Sequence, residues 1–172
     1  MLNKNRLNLY RNVACASALF WAVSSQAENL QGRVVAIADG DTVTVLDAQK
    51  VQHKIRLGGI DAPEKKQAFG DRSKETLSDC AFGRDVVVDW DKVDRYERKV
   101  GKILVAGVDC NLRQIKLGMA WHYKKYANEQ SQADRAAYAA AEDVARGART
   151  GLWSNAAPVA PWDFRAASKS GQ

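Results

Sequence analysis

The chain is predicted to be a small α+β domain with most of its strands ahead of its longest helix. Three observations carry this. Residues 31–57 hold three runs of alternating β-branched and polar residues separated by turn signals. Two further strand-like runs, 86–90 and 102–106, follow a short stretch with helical spacing. Residues 128–148 are alanine-rich and contain no proline.

The elements follow in order. Gln31 to Ala38 is rich in Val and Ile and reads as a strand, closed by the turn signal Asp39-Gly40. Thr42 to Leu46 is the second strand, and Asp47-Ala48-Gln49-Lys50 is the hairpin connection after it. Val51 to Leu57 alternates, with Val51, His53, Ile55 and Leu57 on one face and Gln52, Lys54 and Arg56 on the other. Gly58-Gly59 and Pro63 break regular structure, and Lys65 to Gly70 is a polar loop. Ser73 to Phe82 is helical, with Leu77 and Ala81 four apart and Gly83 at its end. Val86–Trp90 and Lys102–Ala106 are strands, the second ended by the turn Gly107-Val108-Asp109. Asn111 can cap a helix from Leu112 to Leu117 that Gly118 stops. The helix over 128–148 presents Ala136, Ala140, Val144 and Ala148 every four residues, and Trp153 follows it.

The first 27 residues differ from the rest. Lys4, Arg6 and Arg11 give a basic start, Val13 to Val23 is a mostly apolar run, and Ser25-Gln26-Ala27 places small residues where cleavage needs them. This is the pattern of a secretory signal peptide, and the run is short for a bilayer span. The alternative is a retained N-terminal anchor. The expected organisation is a signal peptide over 1–27, one domain over 28–155, and a C-terminal tail over 156–172. Pro158, Pro161 and small residues in that tail predict disorder over its last eight or so positions. Removing residues 1–27 lowers the basic count from 26 to 23 against 20 acidic residues, a net charge of +3 instead of +6. So small an excess is compatible with a polyanionic partner without requiring one. Cys80 and Cys110 remain, either as a disulfide in an oxidising compartment or as two small buried residues. His53 and His122 are isolated and no metal spacing links the cysteines, which argues against a zinc site.

Three segments hold the chemistry: Asp39-Gly40-Asp41-Thr42-Val43, Arg56 to Glu64, and Asp94-Arg95-Tyr96-Glu97-Arg98. They bring carboxylates and arginines to the ends of strands. Carboxylates hold a hard cation and arginines hold a phosphate, and phosphodiester cleavage needs both because charge builds up in its transition state. Any one of these residues alone would read as a turn aspartate or a solvated surface charge.

In this order and separation, and with Gly118-Met119-Ala120-Trp121 ahead of a tyrosine-containing stretch, the segments resemble the thermonuclease family of staphylococcal nuclease-like domains. The match spans about residues 31–153. The resemblance implies a five-stranded OB-fold Greek-key β-barrel with about three flanking α-helices, with Trp153 packed on the barrel. It implies an exported Ca²⁺-dependent nuclease, periplasmic or secreted, that cuts DNA and RNA with little sequence preference and leaves 3′-phosphate ends.

Its roles map onto this sequence residue by residue. Asp41, Asp61 and the backbone carbonyl of Ala62 correspond to the calcium ligands, with Asp39 the acid beside them. So few protein ligands suit a weak site, with an affinity of about 10⁻⁴–10⁻³ M. Glu64 corresponds to the carboxylate that deprotonates or orients the attacking water. Arg56 and Arg98 correspond to the phosphate-binding arginines. Arg95 and Tyr96 correspond to residues around a terminal phosphate and the nucleotide. Tyr123 and Tyr126 lie where bases stack, although a direct count sets Lys124 on one of those positions. The same resemblance brings Cys80 and Cys110 near one another at helix ends, favouring the disulfide. The chain is expected to act as a monomer on nucleic acid, with no stable protein partner and no membrane contact after signal removal. The alternative is a noncatalytic OB module that binds nucleic acid or protein, although such a module would have no need of the full set Asp41, Arg56, Asp61, Glu64 and Arg98.

Overall fold

Strand β1 (Glu28–Asp39) is long enough to serve two neighbours. Its first half pairs antiparallel with β5 (Asp85–Val93), and its second half pairs antiparallel with β2 (Thr42–Leu46). Register shifts between Val34 and Ala36 and between Ile37 and Asp39 bend it from one to the other, as bulges do. β2 continues antiparallel into β3 (Gln52–Leu57), and β5 into β6 (Lys99–Val105). β6 then lies parallel to β3, with Ile55, Arg56 and Leu57 opposite Lys99, Val100 and Gly101. That pairing closes five strands into the predicted OB-type barrel. The computed structural model describes residues 28–170, so the predicted signal peptide over 1–27 lies outside the described residues.

Alternation fills the barrel. Val43, Val45, Ile55, Leu57, Val88 and Ile103 point inward with 1% exposure or less. The inward face of β3 is confined to Ile55 and Leu57, because Val51 lies before the strand in solvent and His53 turns to Asp47, with Nε2 2.7 Å from Oδ2. Three two-residue strands add to the set: β4 (Ile60–Asp61), β7 (Val108–Asp109) and β8 (Trp121–His122). They are too short for periodicity to reveal. β4 pairs with β8, which sets Asp61 opposite Trp121.

Helix α1 (Gly70–Ala81) buries Leu77 and Ala81, as the four-residue spacing predicts, and the chain leaves it through Gly83 at φ +69°. Helix α2 (Cys110–Lys116) ends before Gly118 at φ +62°. Its cap differs from the expectation. Asp109 accepts the Leu112 N–H, whereas Asn111 lies fully buried inside the first turn. Asn111 Oδ1 accepts from the Ile103 N–H, and Nδ2 donates to the carbonyls of Gly58 and Gly101. It therefore pins α2 to the β3–β6 seam that closes the barrel. A disulfide joins Cys80 at the end of α1 to Cys110 at the start of α2, with a Cα–Cα distance of 6.0 Å.

Helix α3 (Gln132–Gly147) is the longest of those described and starts at Ser131, whose hydroxyl accepts the Asp134 N–H. Its buried face is Tyr138, Ala141, Glu142 and Ala145. The stripe expected at Ala136, Ala140, Val144 and Ala148 faces solvent instead, and Val144 is 71% exposed. In a helix this rich in alanine several four-residue rows look alike, and the aromatic Tyr138 and the ion-paired Glu142 choose among them. Trp153 packs in a satellite cluster with Ala145, Leu152, Phe69 and Trp121, beside the barrel core and not within it. Disorder is the expectation for the last eight or so positions, of which 171 and 172 lie outside the described residues. Pro161–Ser170 forms a fourth helix, α4, entered through proline at its first position.

Asn111→Ala should leave the Ile103 N–H and the Gly58 carbonyl without these partners. The expected cost is about 2–3 kcal/mol in a urea denaturation series, with the disulfide intact.

Candidate active site

The turn between β1 and β2 builds one wall of the site. The Asp39 carboxylate accepts the Asp41 N–H at 3.1 Å, fixing the turn. Gly40 between them has no room for a side chain, since a Cβ there would lie 1.9 Å from Ser73 Oγ and 2.8 Å from Ala62 Cβ. Its carbonyl accepts from buried Gln114 Nε2 at 2.7 Å, and the same nitrogen donates to the Ser73 carbonyl. α1 and α2 therefore hold this turn from behind.

Asp41 and Asp61 lie side by side and nearly solvent-free, at 6% and 0% exposure. Arg56 of β3 bridges them. Its Nη1 is 2.6 Å from Asp41 Oδ2, and its Nη2 donates to Asp61 Oδ1 at 2.8 Å. The register sets Arg56 opposite Thr42, one residue from Asp41, while the Asp41 carbonyl accepts the Leu57 N–H. Arg56 Nη1 is close enough to pair with Asp41, yet its N–H groups find no well-aimed acceptor, so it keeps donors to spare. The Ala62 N–H donates to Asp41 Oδ2 at 2.7 Å, tying the loop after β4 to the β2 turn. Burial, reinforced by the charges of Asp39 and Asp61, pushes the Asp41 carboxyl up to about 7 against the pull of Arg56 and the Ala62 N–H.

Glu64 stands at the mouth on a tight loop. Its N–H donates to Gln67 Oε1, and its carbonyl accepts the Gln67 N–H. Its carboxylate is joined to Asp61 by a residue that sequence reasoning missed. Arg165 of α4 donates from Nη1 to Glu64 Oε1 at 2.8 Å and from Nη2 to Asp61 Oδ2 at 2.7 Å. Trp162, one helical turn earlier, stacks on Tyr123 with ring centres 5.3 Å apart and planes 9° from parallel. The available signal was Pro161 opening a helix, with Trp162 and Arg165 three apart and so on one face.

The structure brings Asp39, Asp41, Arg56, Asp61, Ala62 and Glu64 together. Tyr123 joins them, its N–H bonded to the Gly59 carbonyl just before β4 and its ring edge-on to Tyr126 at 5.0 Å. Burial and the nearby Asp61 charge raise the Tyr123 phenol. Arg98 stands apart in the β5–β6 hairpin, where Nε and Nη2 both bond Asp94 Oδ2, at 2.8 and 2.7 Å. Partial burial works to raise Asp94, but bonds from the Arg98 side chain and from the Arg98 and Tyr96 N–H groups outweigh it, and the carboxyl sits below its usual range. Arg95 and Arg98 both lie over the exposed Tyr96 ring, at 4.9 and 5.3 Å from its centre. Along the chain Arg98 lies two residues before Val100, the parallel partner of Arg56.

Several known proteins are similar to this chain. The family profile described as staphylococcal nuclease homologue matches residues 54–155. A protein of Shigella flexneri named micrococcal nuclease is 38% identical over 97% of this chain and 98% of its own length. A Haemophilus influenzae protein named as an uncharacterised endonuclease is 39% identical over 80% of this chain and 74% of its own. Protein ParB of Escherichia coli is 37% identical over 97% of both chains.

The Asp41 shift sets a pH dependence. Unfolded, this carboxyl titrates near 3.8; folded and free of added cations, it titrates near 7. The folded state therefore holds the extra proton between those values, and its stability falls as pH rises through the window. Denaturation midpoints measured in chelator should decline from pH 5 to pH 8, and Asp41→Asn should flatten much of that slope.

Proposed function

The chain belongs to the staphylococcal nuclease family and is an endonuclease that hydrolyses phosphodiester bonds; beyond this we propose that it is exported, depends on Ca²⁺, and cuts both DNA and RNA to leave 3′-phosphates. The observation that supports this best is the buried pair Asp41 and Asp61, held together by Arg56 and linked through Arg165 to Glu64. A hard cation suits these donors. They are carboxylate oxygens, and Asp61 and Glu64 already share one cation, the Arg165 guanidinium. An ion held by so few protein ligands would draw its remaining ones from water and substrate.

Asp41, Asp61 and the Ala62 carbonyl would hold the Ca²⁺. Bound there, it would neutralise phosphate charge as the transition state forms. Arg56 donates its spare N–H groups to the scissile phosphate from a fixed position, since both neighbouring carboxylates hold its plane. Arg98, with Nε and Nη2 locked by Asp94, offers Nη1 from the hairpin. Glu64 accepts a hydrogen bond from the attacking water and takes or steers its proton. The P–O5′ bond breaks, the phosphate stays on the 3′ side, and an arginine N–H meets the departing 5′ oxygen. Tyr123 and Tyr126 stack bases by a contact that any sequence can make. The predicted signal segment over 1–27 supports export, and with it a compartment in which a disulfide persists.

Single-stranded DNA incubated with the purified protein should be degraded with Ca²⁺ and spared with chelator. Glu64→Ala should lower the rate by about 10²–10⁴-fold. Arg98→Lys, which keeps charge but loses the fork held by Asp94, should lose much of the rate as well. Intact DNA under all conditions, with a retained gel shift, would identify a binding module instead.

A further inference from the structure

Helix α4 enters the site from outside the barrel, and it does so with two side chains at once. Arg165 covers Asp61 Oδ2 at 2.7 Å and Oδ1 at 3.2 Å while also bonding Glu64. With Arg56 also on Oδ1, both oxygens of Asp61 face guanidinium donors. Trp162 lies flat on Tyr123 and meets Trp121 edge-on. A positive group thus sits on the carboxylates, and a flat aromatic ring sits on the stacking tyrosine.

The attachment is built to hold and to release. Gln67 ties the helix to the catalytic loop, with Oε1 accepting the Glu64 N–H and Nε2 donating to the Val159 carbonyl at 2.7 Å. Beyond that tether α4 buries little: Pro161 is its only fully buried residue, and the Arg165 side chain is 39% exposed. A cavity of about 200 Å³, lined by Pro63, Phe69, Trp121, Leu152, Pro158 and Phe164, remains beside it. An element with few buried contacts opens at low free-energy cost.

We propose that α4 is an autoinhibitory plug that imitates both ligands of the site, Arg165 standing in for the divalent cation and Trp162 for a nucleobase. The proposal rests on the assignment of Asp61 and Glu64 to cation binding and catalysis. A divalent cation on Asp61 repels the guanidinium and takes its acceptor oxygens. A base on Tyr123 takes the face that Trp162 covers. Cation, base and plug are therefore mutually exclusive at these positions, and each ligand favours the state in which α4 is released. Apparent affinity for either ligand is weakened by the fraction of molecules in which the plug is docked.

Calcium binding to the full-length protein, measured calorimetrically without nucleic acid, tests this in wild type, Arg165→Gln and Trp162→Ala, with hydrogen exchange over residues 161–170 read in parallel. Both variants should bind Ca²⁺ more tightly, with a gain on the order of tenfold for Arg165→Gln if the plug is docked about nine-tenths of the time. Saturating Ca²⁺ should abolish the exchange protection of α4 in wild type. Trp162→Ala leaves charge unchanged, so wild-type affinity in that variant, with a gain only in Arg165→Gln, would reduce Arg165 to a local electrostatic effect and overturn the plug. Unchanged protection of α4 at saturating Ca²⁺ would overturn it too. If Ca²⁺-dependent cleavage is intact in such a case, the proposed nuclease stands without its plug. If no variant binds Ca²⁺ and none cleaves DNA, both fall.

Discussion

Two carboxylates cannot be buried side by side without a partner, and Arg56 is what allows Asp41 and Asp61 to share a solvent-free position. The barrel is arranged around that need. Arg56 sits where β3 pairs with β2 on one edge and with β6 on the other, so both of its backbone neighbours are fixed before its side chain is placed. The Ala62 N–H then brings the chain after β4 onto Asp41, and the β4–β8 pair brings Asp61 and Tyr123 to the same rim. Buried Glu142 of α3 accepts the His122 N–H and so secures β8 from the far side. The polar interior of this protein is the frame of its site.

Arg56 and Arg98 are held by opposite strategies. Arg56 is immobilised by the buried carboxylates Asp41 and Asp61, and its charge works against the upward push of burial on Asp41. Burial works against the Arg56 charge, and Asp41, Asp61 and Asp39 together more than restore it. Arg98 is held by a local hairpin partner, Asp94, four residues away, at 25% side-chain exposure. Its orientation owes nothing to the buried pair. One arginine thus reports on the integrity of the core, and the other on a surface loop.

The sequence made the barrel strands and the carboxylate–arginine set legible because each rests on local pattern or on close spacing. Thr42–Leu46 was bounded correctly, since its alternation is flanked by turns on both sides. Asn111 reads as the cap of α2 because asparagine is a good cap, yet Asp109, read as a turn residue, fills that role. Only the three bonds of Asn111 to distant carbonyls and N–H groups assign it to the interior. The buried face of α3 was misread because alanine marks no side of a helix, and a glutamate on the buried face runs against hydrophobic periodicity until Lys124 and the His122 N–H are seen to pair it. Trp162 and Arg165 escaped notice for another reason. Prolines and small residues around them signal irregular chain, and their contacts with Tyr123, Asp61 and Glu64 span from 39 to 104 positions, beyond any local pattern.

Gly40 carries a consequence for how such a chain can diverge. The two acids of the β1–β2 turn are separated by one residue whose side-chain space is already filled by the Ser73 hydroxyl and the Ala62 methyl. Ser73 in turn donates to the Met119 carbonyl, and Gln114 is bonded to both the Gly40 and Ser73 carbonyls. Replacing the glycine would displace contacts in three segments at once, and no single second substitution restores them. This position is closed to every side chain, so the one-residue spacing of the two acids is set by packing behind the turn as well as by their own chemistry.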